Sequence, residues 1–151
     1  MGLQQALEQF EFNSSGKGFL RIDPELNRWI RSTGLRQGVL HLSALHTSCS
    51  LTINENADPR VLDDLAAWME AVVPQVAHGA LDGSDFLRRY RHDDEGPDDM
   101  PAHIRSALTS QTLSLSVVDG ELLLGIWQAV YLWEHRCAGS TRRLSAHLIG
   151  E

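Results

Sequence analysis

Cysteine is scarce: the 151 residues contain 2, Cys49 and Cys137, far apart in the chain. That excludes a disulfide scaffold and suits reduced thiols in a cytoplasmic protein. No run approaches the ~20 apolar residues of a membrane span. The start, Met1 to Phe10, lacks the basic lead and apolar stretch of a secretory signal. Positive charge is also short, with 13 Lys and Arg against 20 Asp and Glu and a formal net charge of −7. A nucleic-acid surface needs a basic face, so that class is disfavoured. Cys-x-x-Cys, His-x-x-x-His, Gly-x-Ser-x-Gly and a Gly-rich phosphate loop are all missing. The expected partner is a small molecule, with neither nucleic acid nor membrane.

What remains reads as one domain over residues 1–151, long enough to bury a core without staples. Strands are expected over Gln5 to Phe12 and Gly18 to Ile22, with Phe10 and Phe12 on one face. Asp23-Pro24 and Asp58-Pro59 each offer an N-cap oxygen and a proline at the first helical position. The first helix should end at Gly34, and the second should stop before Pro74. Val39 to Asn54 is extended but changes phase, which predicts a bulge near Ala44 to His46. A third helix is expected from Pro101, with Asp98 and Asp99 near its positive end. Leu113 to Val117 alternates into Asp119-Gly120, a hairpin turn. The return strand, Glu121 to Glu134, is apolar on both faces and should be central. Leu144 to Ile149 closes the chain. Mixed order with hairpins gives an α+β class, mostly antiparallel sheet with three helices.

Chemistry concentrates in Tyr90 to His103, which holds two histidines, five acids, two prolines and a glycine. So polar a loop builds no core, and its His92 and His103 can converge on one centre. The proposed bulge would bring in His46. Neutral imidazoles with carboxylates suit zinc, and carboxylates with phosphates suit Mg²⁺, so the expected cofactor is one of these. Histidines satisfied by ordinary hydrogen bonds are the alternative. His41, His78 and His147 stand alone and read as structural or exposed. Asp93, Asp94 and Glu95 read as a solvated loop. Arg88, Arg89 and Arg91 cluster closely enough to hold a phosphate, and a solvated basic cluster fits them equally. Glu55-Asn56 offers a general acid/base and an orienting amide, or merely a turn. Gln128 and Glu134 share strand parity but stand about 20 Å apart at ~3.4 Å per residue. Glu134 within an apolar strand calls for an arginine, Arg142 or Arg143. Cys49 reads as a small buried apolar residue.

The chain resembles the YjbQ-like family, also described as secondary thiamine-phosphate synthase enzymes. The resemblance rests on His46-Thr47-Ser48, Leu51-Thr52-Ile53-Asn54-Glu55-Asn56, Tyr90-Arg91-His92 and Asp99-Met100-Pro101-Ala102-His103. It continues through Leu124-Gly125-Ile126-Trp127-Gln128, Glu134-His135-Arg136 and Ser140-Thr141-Arg142-Arg143. Ile126 departs from the usual threonine, Cys49 from a common alanine, and Gly139 lacks a companion glycine. The resemblance implies a compact homotrimeric α+β fold and weak synthase activity. That reaction joins a pyrimidine methyl diphosphate to a thiazole phosphate and expels pyrophosphate. The resulting candidates are Glu55, Asp99, Gln128 and Glu134 for catalysis. Asn56, Arg91, Trp127 and Arg142 are candidates for substrate, and His46, His92 and His103 for a divalent metal. A trimeric metal- or ligand-binding protein with incidental synthase activity, and a metal-dependent phosphoester hydrolase, are the competing readings.

Overall fold

The computed structural model describes residues 2–80 and 82–151. In chain order the elements are β1 (Gln4–Asn13), β2 (Gly18–Arg21), α1 (Asp23–Thr33), β3 (Gly38–Ala44), β4 (Cys49–Glu55) and α2 (Pro59–Val72). There follow β5 (Ala77–Gly79), β6 (Leu87–Arg89), α3 (Asp99–Leu108), β7 (Thr112–Val118), β8 (Glu121–Leu122), β9 (Gln128–Glu134) and β10 (Thr141–Gly150).

The strands form a five-stranded sheet ordered β1-β10-β3-β7-β8, a three-stranded sheet β2-β9-β4, and the small hairpin β5-β6. Neighbouring strands run antiparallel throughout. With the three helices this is the α+β class expected from the sequence. The main core lies between the two larger sheets and α1. Leu40, Leu42, Leu144, Ala146 and Leu148 face Leu51, Val130, Leu132, Leu26 and Ile30 there. Phe10 and Phe12 share a face as alternation requires, their rings stacked at 6.0 Å.

Several sequence expectations change in the fold. The phase change between Val39 and Asn54 is not a bulge. Pairing with β10 and β7 puts β3 in one sheet, while pairing with β9 puts β4 in the other. Crossing between sheets inverts the buried parity as an inserted residue would. The return strand is also interrupted: β8 and β9 are separated by Leu123 to Trp127, where Leu123, Ile126 and Trp127 are exposed. Strand β9 alone is central. Its Val130 and Leu132 enter the main core, and Trp133 packs with Met69 and Val73 of the α2 region.

The two Asp-Pro pairs diverge. Asp58 caps α2 by accepting from the Arg60 N–H at 3.0 Å. Asp23 does not cap α1; buried, it accepts from the Val130 N–H at 3.1 Å and from Arg21 at 3.0 Å, fastening the helix start to β9. Helix α3 begins at Asp99, two residues before Pro101.

Two loops that carry site residues are locked by glycine. Gly16 sits at φ +125, and a Cβ there would collide with the Cys137 carbonyl. A Cβ at Gly139 would likewise collide with the Ser14 carbonyl. Only glycine permits this approach, so the segment after β9 is held against the β1–β2 turn.

Candidate functional site

The first turn of α3 projects Asp99 and His103 from one side, because positions i and i+4 are stacked on a helix. The loop before α3 delivers His92 to the same point. His92 Nε2 lies 2.7 Å from Asp99 Oδ2, and His103 Nε2 lies 3.6 Å from Asp99 Oδ1. One donor atom from each of His92, Asp99 and His103 falls within 4.8 Å of the other two. The two rings stand at 67° with centroids 5.2 Å apart.

A surrounding set of bonds orients these groups. His103 Nδ1 is 3.0 Å from the Thr47 carbonyl, which only a protonated Nδ1 satisfies, so Nε2 presents its lone pair to the site. The crossover between the two sheets is what places Thr47 there. Asp99 is 2 % exposed. Arg136, just past the end of β9, donates to Asp99 Oδ1 at 2.7 Å and to Asp98 Oδ2 at 3.0 Å. It also donates to the Glu95 carbonyl at 2.9 Å, while the Cys137 N–H reaches Asp98 at 2.8 Å. Burial opposes ionisation of Asp99, but the His92 bond and the Arg136 charge outweigh it and hold its pKa below the usual carboxylate range. Two imidazoles and one anionic carboxylate, with His103 and Asp99 held from behind by the Thr47 carbonyl and Arg136, match the donor set of an open zinc-type site.

Recesses open on both sides of this group. One, of about 270 Å³, is lined by Tyr90, Arg91, His92, Met100 and Ile104 together with β5–β6 residues. Another, of about 240 Å³, is lined by His46, Thr47, His103, Ser106, Ala107 and Gln111. His46 therefore borders the His103 side without joining the three-donor group. Its Nε2 accepts the Arg143 N–H at 2.7 Å, which occupies that lone pair. Asp93, Asp94 and Glu95 are exposed, as a solvated loop should be.

Other candidates gather elsewhere. Glu134 and Arg142 form a buried ion pair, with Arg142 Nε 2.8 Å from Glu134 Oε1. Ser14 donates to the same oxygen at 2.6 Å, and Arg142 also binds the Ser48 hydroxyl at 2.9 Å. Glu55, Asn56, Trp127 and Gln128 meet at the opposite end of the β4–β9 pair, where Glu55 is in register with Gln128. The Asn56 side chain donates to the Ile126 and Gln128 carbonyls at 3.0 and 3.1 Å, and Gln128 accepts from the Gly125 N–H at 2.6 Å. These polar groups brace the turn that exposes Trp127. Within one chain this corner and the His92–Asp99–His103 group are apart.

Arg136 and the Thr47 carbonyl are site groups that sequence reasoning does not single out. Arg136 falls within the Glu134-His135-Arg136 motif, and its charge directly after an apolar strand is the available signal. A backbone carbonyl leaves none.

The chain matches known proteins along nearly its whole length. The family model described as UPF0047 protein YjbQ-like matches residues 8–151. The UPF0047 protein sll1880 of Synechocystis is 44% identical over 138 residues, covering 91% of this chain and 87% of that protein. The UPF0047 protein YjbQ of Escherichia coli O157:H7 is 39% identical over 140 residues, covering 92% of this chain and 94% of that one. Among solved structures, the conserved hypothetical protein TT1486 of Thermus thermophilus superposes with a TM-score of 0.74 at 29% identity. That match covers 93% of this chain and 98% of the other. A YbjQ-like protein of unknown function from Sulfolobus solfataricus shares the fold at a TM-score of 0.77 and 15% identity, covering 98% of this chain and 100% of that one.

Proposed function

This chain belongs to the UPF0047 YjbQ-like family, and from that membership and its site geometry we propose a metal-assisted transferase acting on small phosphorylated substrates. His92, Asp99 and His103 hold the metal in this reading. The observation that carries it is the set of three donors within 4.8 Å, two of them fixed by outer bonds from Thr47 and Arg136. Two imidazoles favour zinc or a similar borderline ion over Mg²⁺, which prefers oxygen. When bound, such an ion supplies charge neutralisation for a departing phosphate or pyrophosphate.

Thiamine-phosphate synthesis is the specific reaction that the family resemblance suggests. Recesses on both sides of one centre support a reaction of two substrates over simple hydrolysis. Arg91, on the His92 side, is assigned to a substrate phosphate. Glu55, Asn56, Trp127 and Gln128 act on the same substrates only if a neighbouring subunit brings that corner across. A homotrimer would do so, and it would also cover Leu7, Val39 and Ile149, exposed on the outer face of the five-stranded sheet. Glu134 and Arg142 are then scaffold for Arg136.

The test is complementation of a thiamine-requiring bacterial strain by wild type and by His103→Ala, with zinc content measured on both proteins. Rescue and bound zinc should both be lost in the variant. Equal rescue with equal zinc removes the assignment.

A further inference from the structure

The recess on the His92 side has a composition unlike the rest of this acidic chain. Besides His92 it is lined by His78, Arg88, Arg89 and Arg91, with Tyr90, Met100 and Ile104 completing the walls. Among the described residues, none of the three arginines has a carboxylate within the 4.0 Å of an ion pair. By contrast, Arg21, Arg28, Arg31, Arg36, Arg60, Arg105, Arg136, Arg142 and Arg143 are all paired. In a chain of net charge −7, three adjacent unpaired guanidiniums are a concentrated exception.

The lining surface is nearly all carbon, while Arg88, Arg89 and Arg91 are exposed. Their stems therefore build the wall and their charged heads reach the rim. The backbone beneath is braced. Val76 is held at φ +70, a strained conformation for a β-branched residue, and its carbonyl accepts the Tyr90 N–H at 2.9 Å. Tyr90 Oη donates to the Pro74 carbonyl at 2.9 Å, so the ring cannot swing out of the wall without breaking that bond. The β5–β6 register then sets His78 directly opposite Arg88.

We propose that this recess, framed by His78, Arg88, Arg89 and Arg91, is a phosphate-binding subsite. It takes a phosphate or diphosphate ester whose small flat body lies against Tyr90, Met100 and Ile104. The cationic rim holds the phosphate by charge-assisted bonds, and the carbon walls hold the ring. This assignment rests on the metal-site reading only for what happens next, since His92 borders both places.

The test is calorimetric titration of the full-length protein with inorganic phosphate, pyrophosphate and phenyl phosphate, each with and without added zinc. Wild type, Arg88→Gln/Arg89→Gln, the surface control Arg28→Gln, and His103→Ala are compared. Binding by wild type should weaken about tenfold or more in the double variant, leave Arg28→Gln unaffected, and fall steeply with salt. Phenyl phosphate should bind more tightly than inorganic phosphate because only the ester fills the walls. Equal affinity in wild type and the double variant, or no binding by wild type under any condition, overturns the subsite. Undiminished zinc affinity in His103→Ala overturns the metal centre instead, whatever the phosphate result.

Discussion

Arg136 donates to Asp99 Oδ1 at 2.7 Å while His92 Nε2 meets the other oxygen of the same carboxylate at 2.7 Å. One buried acid thus joins the segment following β9 to the loop preceding α3. Removing the guanidinium leaves the Asp99 carboxylate held by His92 without its second anchor and raises the cost of keeping it charged. Arg136→Gln should weaken zinc binding about 10- to 100-fold, the range seen when outer partners of metal ligands are removed. Competition with a chromophoric chelator measures this, and unchanged affinity would show that Arg136 is only structural.

Gly139 keeps that same segment close to the β1–β2 turn. Gly139→Ala forces the new Cβ toward the Ser14 carbonyl and should displace Arg136 with its loop. Zinc affinity should therefore fall in this variant although no ligand has changed. A variant with wild-type affinity would mean that the loop yields elsewhere.

The Glu134–Arg142 pair is buried on both sides, at 2 % and 4 % exposure. Burial opposes ionisation of Glu134, yet Arg142, Ser14 and the Arg136 N–H outweigh it and hold its pKa low. Glu134→Gln leaves a buried guanidinium without its counter-charge, costing about 3–5 kcal/mol in urea unfolding. Replacing both residues, by Glu134→Met with Arg142→Leu, should recover much of that loss. A single variant within about 1 kcal/mol of wild type would contradict this account.

His135 is 1 % exposed, bonds Ser50 Oγ through Nε2 at 2.9 Å, and leaves Nδ1 without a partner among the described residues. Burial, reinforced by the Arg105 charge, lowers its pKa from 6.5 to about 4. The unfolded chain therefore binds a proton near pH 6.5 that the folded chain refuses until about pH 4. Stability from this group is complete above pH 6.5 and declines as pH falls toward 4. The total is roughly 3 kcal/mol. His46, lowered by burial and by Arg142, adds in the same direction. Urea midpoints between pH 7.5 and 4.5 should drop in wild type and drop less in His135→Gln; equal slopes would sink the assignment.

Cys49 is fully buried, and burial raises its thiol pKa to about 11, whereas Cys137 is exposed. A thiol reagent at neutral pH should therefore label Cys137 in the native protein and Cys49 only after denaturation. Rapid native labelling of both would show that the β4–β9 sheet opens readily.

The α+β class, the three helices and the central place of β9 were all legible from local periodicity. So was the need of Glu134 for an arginine, because an acid in an apolar strand has few alternatives. Asp23 misled because an Asp-Pro pair reads the same whether its oxygen caps a helix or receives a distant strand N–H. The parity change after Val39 misled similarly: a bulge and a move between sheets leave one signature, and only pairing partners separate them. Trp127 looked like continuing strand because an apolar exposed turn carries no polar mark. The β5–β6 hairpin escaped notice because three-residue strands are too short to alternate. At the site, His92 and His103 were readable from their acidic loop. His46 was not separable from them, since its bond to the Arg143 N–H depends on strands almost a hundred residues apart.

Asp99 and His103 ride together on a single rigid helical turn, while His92 arrives on an irregular segment. An incoming cation would thus meet two donors on a rigid turn and a third, His92, carried by a segment that no regular element holds. Ordering should concentrate between Tyr90 and Asp98, where amide hydrogen exchange would slow on metal addition while α3 stays as protected as before. The floor of the neighbouring recess would tighten in the same event, so occupancy at one place would be felt at the other.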